Sequence, residues 1–265
     1  MLRVALAAAL VAASWALLAP PAAAVSKCLA YVQGVPGVVP VKLSTVQAAE
    51  TVWITYVDHS TFRLRTPAGV VIATDYAGYA GAGPTPTVVT MNHAHYTHYT
   101  DHPDPAIQHV LRGWNPEGGP ADHNLTVGDV RIRNVPTDIR RWERMVEPDG
   151  NSIFIFEVAD LCIGHLGHLH QKLSHEQLAL IGRLDVVFVP VDGSYTMDLA
   201  SMIDVLQDLR ASLVIPMHVF GGRSLELFLA GVRGDFAIRV DDDATVGVSL
   251  ESLPREPTVL VLEPS

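Results

Sequence analysis

The chain has 265 residues, 49% of them hydrophobic and 17% charged, and a formal net charge of −10 with histidine neutral. It can bury a sizeable core, and the acidity mainly indicates solubility. No basic stripe is present, which excludes nucleic acid as a partner.

The first 24 residues read as a secretory signal. Arg3 gives a positive start, Val4 to Leu18 is an apolar run, and Ala22-Ala23-Ala24 is a small-residue cleavage site. The run falls short of the roughly 20 residues a spanning helix needs, and no second stretch is longer. Cys28 follows Val25-Ser26-Lys27, which is not a lipobox. The expectation is cleavage after Ala24, no stable membrane anchor, and a periplasmic or secreted protein.

Residues 25–50 are rich in Pro, Gly and Val and read as an extended lead-in. Residues 51–265 suit one large domain. An oxidising compartment permits a disulfide between Cys28 and Cys162. The alternative leaves Cys162 as a small buried hydrophobe and Cys28 loose; spacing alone gives no Cα separation to choose between them. Two cysteines so far apart do not make a structural zinc cluster.

Short β-rich runs follow at Val52–Val57, Thr61–Arg65, Val70–Thr74 and Val88–Met91, punctuated by turn residues. The last leads into "TMNHAHYTHYTDHPD", which carries His93, His95, His98 and His102. A loop spans Arg112 to Asn124, and Val130–Val135 alternates as a half-buried strand does. Ser152–Val158 and Leu161–Ile163 read as strands around an Ala-Asp turn. Ser174 to Gln177 has the S-x-x-Q form of a capping box, opening a helix. Asp185–Val191 and Leu213–Met217 are buried strands. Between them Leu199, Met202, Ile203, Leu206 and Leu209 recur at helical spacing. A helix near Ser224–Val232 and strands near Phe236–Val240 and Val259–Leu262 complete the pattern. The first part is mostly β and the later part alternates, which predicts two sheets with helices outside.

Three apolar strands end in histidine: Val88–Met91 before His93, His95 and His98; Leu161–Ile163 before His165, His168 and His170; and Leu213–Met217 before His218. Strand ends of one sheet share a rim, so residues distant in sequence can converge there. Neutral imidazole is the commonest metal ligand. His93 and His95, at i and i+2, can point the same way from a strand end. Singly, His102, His109, His123 and His175 read as ordinary loop or core histidines.

"HAHYTH" resembles the H-x-H-x-D-H signature of the metallo-β-lactamase superfamily. "ITYVDHSTFRLRTPAGVVIATDY", "CIGHLGHLHQKLSHEQLALIGRLDVVFVPVDGSYTMD" and "VIPMH" resemble, in order, further stretches of its broad metal-dependent hydrolase branch. The resemblance runs from about Thr51 to Gly221 and implies an αββα four-layer sandwich with the site on one edge of the sheets. It matches His93, His95, His98 and His218 to metal ligands. Thr97 replaces the signature Asp, His168 stands where a bridging Asp is expected, and Asp138 is the nearest candidate for a missing middle-loop ligand. Carboxylates neutralise and bridge two metals, so their loss implies a modified site, with a mononuclear one as an option. His93, His95, His98, His168, His218 and Asp138 are therefore the candidate ligands. Zinc is expected, as one or two ions, with iron or manganese as alternatives. Thr97 is a candidate to position the attacking water. His165 and His170 are candidates for a general acid or for structural roles. His59 and Asp75 match positions that orient ligands, and Tyr195 is a pocket-lining or packed surface residue.

The expected activity is hydrolysis of a small-molecule ester, lactone or phosphodiester. A non-catalytic relative that binds metal or ligand is the alternative, and an iron-dependent oxidoreductase the third reading. The branch resembled and the missing carboxylates argue against a β-lactamase in the narrow sense.

Overall fold

The computed structural model describes residues 26–29, 50–140 and 145–265. The expected signal segment and most of the lead-in lie outside the described residues. The strands are β1 Val52–Asp58, β2 Thr61–Arg65, β3 Val71–Ala73, β4 Val88–Met91, β5 His109–Arg112, β6 Asn124–Val127, β7 Val130–Arg140, β8 Val146–Val158 and β9 Leu161–His165. Helix α1 His175–Ile181, β10 Val186–Pro190, α2 Leu199–Leu209, β11 Leu213–Met217 and α3 Gly222–Val232 follow. The last strands are β12 Ala237–Asp241, β13 Thr245–Val248 and β14 Thr258–Leu262.

These elements build two mixed sheets, ordered β13-β1-β2-β3-β4-β5 and β12-β14-β11-β10-β9-β8-β7-β6. Side-chain alternation in β8 shows how they stack. Phe154 and Phe156 face the first sheet, where they join Ile54, Phe62, Leu64 and Ile72 in one core. Ile153 and Ile155 point the other way, under Met202, Leu206 and Phe228 of α2 and α3. Phe62 of one sheet stacks on Phe188 of the other with ring centroids 4.1 Å apart. β10 (VVFVP) and β11 (LVIPM) are buried on both faces, which is why they read as continuous apolar runs. The result is an α/β sandwich. Among the described residues all three helices serve the eight-stranded sheet. The outer face of the six-stranded sheet is covered instead by loop residues such as Tyr76, Ala80 and Ile107.

Local chemistry accounts for the helix starts. The capping box at α1 forms in full: Ser174 accepts from the Gln177 amide, and Gln177 accepts from the Ser174 amide. Asp198 caps α2 by accepting from the Ser201 amide. Cys28 and Cys162 are joined in a disulfide, which ties residues 26–29 to β9. Of the two alternatives for the cysteines, the structure adopts this one.

Several strands exceed expectation. β7 and β8 run on to Arg140 and back from Val146 as one long hairpin. Its outer part is polar and partly exposed, so it lacks the apolar alternation that marks a strand in sequence. β5, β6 and β13 are edge or near-edge strands of four residues, held by pairing with β4, β7 and β1.

What matters for the site is direction. β9, β10 and β11 are parallel neighbours, and β3 and β4 are parallel neighbours in the other sheet. The residues just past their C-terminal ends gather on one edge of the sandwich. Parallel sheets commonly place sites at such ends.

Candidate metal centre

Four histidines converge at that edge. His59, His95, His98 and His218 each offer a ring nitrogen, and these atoms lie within 4.8 Å of one another. The Nε2 atoms of His98 and His218 are 3.2 Å apart, and those of His59 and His98 are 3.3 Å apart. His168 joins them, its Nε2 lying 3.2 Å from Nε2 of His95. Nitrogens sharing a tetrahedral zinc ion stand roughly 3.3 Å apart, given the usual Zn–N length. The donor set therefore fits a metal. None of the converging atoms belongs to a carboxylate.

Carboxylates stand behind the imidazoles. Asp75 Oδ2 lies 2.6 Å from His98 Nδ1, and Asp192 Oδ2 lies 3.0 Å from His218 Nδ1. Asp192 is held by its own loop: Oδ1 accepts from the amides of Ser194, Tyr195 and Thr196, and Oδ2 from the Thr196 hydroxyl. Asp75 Oδ1 accepts from Asn92 Nδ2, while Asn92 Oδ1 accepts from the Ser152 amide. Thr97 Oγ1 lies 2.8 Å from His95 Nδ1, and His168 Nδ1 lies 2.7 Å from His170 Nε2.

The backbone is bent to achieve this. His59, Asp75 and His218 all have positive φ, at 50°, 43° and 58°. Such conformations cost on the order of 1–3 kcal/mol each and persist where surroundings enforce them. Here the His218 amide donates to the His59 carbonyl, tying the β1–β2 turn to the end of β11. Gly167 (φ +60°) is required by contact as well as by conformation. A Cβ there would meet Asn151 Oδ1 at 2.3 Å and Asn92 Nδ2 at 2.4 Å.

Burial disfavours the charged form of three of these histidines, His59, His98 and His168. It pushes His59 down to about 3, helped by the neighbouring His218 and His95. His98 and His168 are held well below the usual imidazole range by burial first and then by the surrounding histidines. Burial also pushes Asp75 up, against the neighbouring His165 and the hydrogen bond from Asn92, which act downward. For Asp192 burial acts upward, but hydrogen bonds from His218 and Thr196 outweigh it and hold the carboxylate ionised. Neutral imidazoles are what a metal binds.

Not every candidate from the sequence joins the cluster. His93 turns away: its Nδ1 lies 2.5 Å from Glu147 Oε1, and its ring stacks on Trp114. β4 ends at Met91, so the two-residue alternation that would aim His93 beside His95 has stopped by residue 93. Asp138 is not among the converging donors; its Oδ1 accepts from the Asp149 amide in the β7–β8 hairpin. His165 is fully buried. Its Nδ1 accepts from the Gly167 amide and its Nε2 donates to the Ser60 carbonyl, so both nitrogens are spent on structure. His59, matched in sequence to a supporting role, offers a nitrogen to the cluster itself. Asp75 stands behind His98, as a supporting residue would. Tyr195 lines the pocket over the cluster, with Thr97, His170, Arg140 and Phe220. Asp192, Asn92, Arg140 and Phe220 were not legible as site residues. The one available signal was Asp192 before Gly-Ser in "VPVDGSYT", a pattern suited to a side chain that caps its own turn.

The comparisons agree with this architecture. The chain belongs to the β-lactamase superfamily: the family model described as the beta-lactamase superfamily domain matches residues 53–218. Its fold is the metallo-β-lactamase fold. A Thermotoga maritima structure, assigned as a Zn-dependent hydrolase of the metallo-β-lactamase superfamily, superposes with TM-score 0.60 at 26% identity, over 81% of this chain and 100% of that one. Igni18, a metallo hydrolase from Ignicoccus hospitalis, gives TM-score 0.52 at 20% identity over 81% of this chain and 96% of that one. In sequence, a UPF0173 metal-dependent hydrolase of Methanosphaerula palustris is 27% identical over 148 residues, which is 50% of this chain and 68% of the relative. A UPF0173 protein of Pyrococcus abyssi is 27% identical over 110 residues, and the match spans about half of its length (48%).

Proposed function

We propose that the protein is an exported metal-dependent hydrolase. It would use a single zinc ion to cleave a small-molecule ester, lactone or phosphodiester. One observation carries the reading: four imidazole donors, with His168 beside them, converge on a single point with no carboxylate among them. Two divalent ions there would set four positive charges side by side against uncharged ligands with no carboxylate to bridge them, so one ion is the arrangement these residues favour. His59, His95, His98 and His218 would hold it, with His168 as a further donor. A bound ion supplies Lewis acidity and lowers the pKa of a coordinated water to about 7.

The chain's own residues do the rest. Asp192 accepts the His218 Nδ1–H and so turns the Nε2 lone pair inward; Asp75 does the same for His98. The Thr97 hydroxyl anchors His95. The pocket above admits substrate. The signal-like first 24 residues and the Cys28–Cys162 pairing support export. The relatives described as metal-dependent hydrolases support the reaction class.

A second reading, a non-catalytic metal-binding protein, has one observation in its favour. Five nitrogen donors are enough to close the coordination sphere, and a catalytic ion needs an open position.

Metal content tests both readings. The chain is exported with its own leader and without a histidine tag, and metals are counted by elemental analysis. About one zinc per chain, lost in His98→Ala and His218→Ala but kept in His93→Ala, is the expected result. Folded protein without metal would overturn both readings. Bound metal with no turnover across an ester, lactone and phosphodiester panel would favour the second.

A further inference from the structure

We propose that the pocket selects substrates in which an oxyanion, a carboxylate or phosphoryl group, sits beside an aromatic or similarly flat apolar body, and that Arg140 binds the anion. The inference rests on the hydrolase reading above and names its substrate class.

The cavity over the cluster has a volume of about 480 Å³, the size of a small-molecule site. Its lining includes His59, His95 and His168, and among the described residues no aspartate or glutamate lines it. Arg140, the last residue of β7, lies in its wall. Nη2 of Arg140 donates to the carbonyls of Ser194 (2.9 Å) and Thr196 (2.8 Å), which fixes the plane of the guanidinium. Both hydrogens of Nη2 are then used. Nε and Nη1 have no hydrogen-bond partner among the described residues, and no carboxylate among them pairs with the side chain. Guanidinium stays charged at any working pH. An arginine that only propped the loop would need no pocket beside it. Here a fixed cation with no carboxylate partner among the described residues borders a cavity lined otherwise by histidines, aromatic and aliphatic side chains, Thr97 and Ser194. Its chemical complement is an anion, and charge-assisted bonds from arginine are among the stronger polar contacts.

The rest of the wall describes what the anion is attached to. Tyr96, Tyr195 and Phe220 are 82%, 59% and 50% exposed, although all three are large and apolar-faced. Tyr195 meets Phe220 edge-on at 5.3 Å, and Phe220 packs against the rings of His59 (5.2 Å) and His218 (4.8 Å). Three exposed aromatics around one opening form an apolar seat next to the cluster. A cavity of this volume spans on the order of 10 Å. A ring against Phe220 can therefore present its ester at the histidines while its anionic group reaches Arg140.

The test uses the metal-loaded protein and matched aryl acetates, one with a ring carboxylate and one with the neutral carboxamide. kcat/KM should be at least about 10-fold higher for the carboxylate, the lower end of what a hydrogen bond to a charged group supplies. Arg140→Gln should bring the ratio to within about threefold of unity, and Arg140→Lys should restore part of it. Calorimetry with benzoate, phenylphosphonate and benzamide is the second measurement. The two anions should bind and benzamide should not, with at least 10-fold weakening in Arg140→Gln; the tighter anion shows whether carboxylate or phosphoryl is preferred. If charged and neutral esters turn over equally, the substrate class is wrong and the hydrolase stands. If both substrates fall together in Arg140→Gln with their ratio unchanged, Arg140 only props its loop and the proposal fails. If metal-loaded protein hydrolyses neither ester, the calorimetry decides: anion binding that depends on Arg140 keeps the site without the reaction, and equal binding in wild type and Arg140→Gln overturns it.

Discussion

Asp192→Asn isolates the effect of a carboxylate on a candidate metal ligand, His218. The Asp192 carboxylate makes five hydrogen bonds: three backbone amides reach Oδ1, and the Thr196 hydroxyl and His218 Nδ1 reach Oδ2. An ionised carboxylate only accepts, so His218 must carry its proton on Nδ1 and keep Nε2 bare for a metal. In asparagine the three amides hold the remaining oxygen at the Oδ1 position, and the NH2 takes the Oδ2 position. The Thr196 hydroxyl adapts by rotating. His218 cannot, because it now faces a donor, and its proton moves to Nε2 in the centre of the cluster. The loop keeps its four bonds and the fifth, to His218, survives with its direction reversed, so the metal-free protein should lose no more than about 1 kcal/mol. Metal affinity should fall 10- to 100-fold, the usual effect of losing such a partner, or about 1.4–2.7 kcal/mol. Competition against a chromophoric chelator reads the affinity, and urea unfolding of the metal-free protein reads the stability. An affinity within threefold of wild type would refute the tautomer argument. So would a stability loss that accounts for the whole affinity change.

Other outcomes follow from the same structure. Gly167→Ala should cost at least 2 kcal/mol, roughly, from positive φ and from contacts with Asn92 and Asn151; unchanged urea unfolding would contradict the required close approach. Burial holds His165 below its ordinary pKa, so below pH 6.5 the unfolded chain binds a proton that the folded one does not. Stability of the metal-free protein then falls with decreasing pH, this group contributing up to about 1.4 kcal/mol per pH unit. In His165→Gln the slope between pH 6.5 and 5.5 should be shallower, by at most about 1 kcal/mol over that unit because the unfolded imidazole is only half protonated at its start, and an unchanged slope would refute the lowered pKa of His165. Cys28→Ser should lower stability by about 2–5 kcal/mol under oxidising conditions and abolish the loss that reductant causes in wild type.

The later half of the fold was plain in sequence because its signals are local. Ser174 and Gln177 sit three residues apart, and both halves of their capping box form. Met202, Leu206 and Leu209 share one helix face, and that face is buried. VVFVP and LVIPM are buried on both sides, so every residue is apolar. The outer β7–β8 hairpin and β13 stayed hidden because pairing with a neighbouring strand, not a periodic apolar face, makes them strands.

The candidate site divides in the same way. The sequence by itself determined that histidines follow three apolar strands, that they stand in a superfamily-like order, and that Thr97 and His168 replace carboxylates. Residue type and spacing carry the first of these, and the resemblance to the superfamily carries the other two. Only the tertiary structure decided which histidines meet. It brings in His59 from a turn more than 30 residues before His93 and turns His93 out towards Glu147. It spends His165 on backbone groups and sets Asp192 behind His218. Each outcome depends on φ at a single residue or on a partner far along the chain. A linear pattern fixes which side chains are available; the direction in which a side chain leaves a turn is set by the contacts that hold the turn.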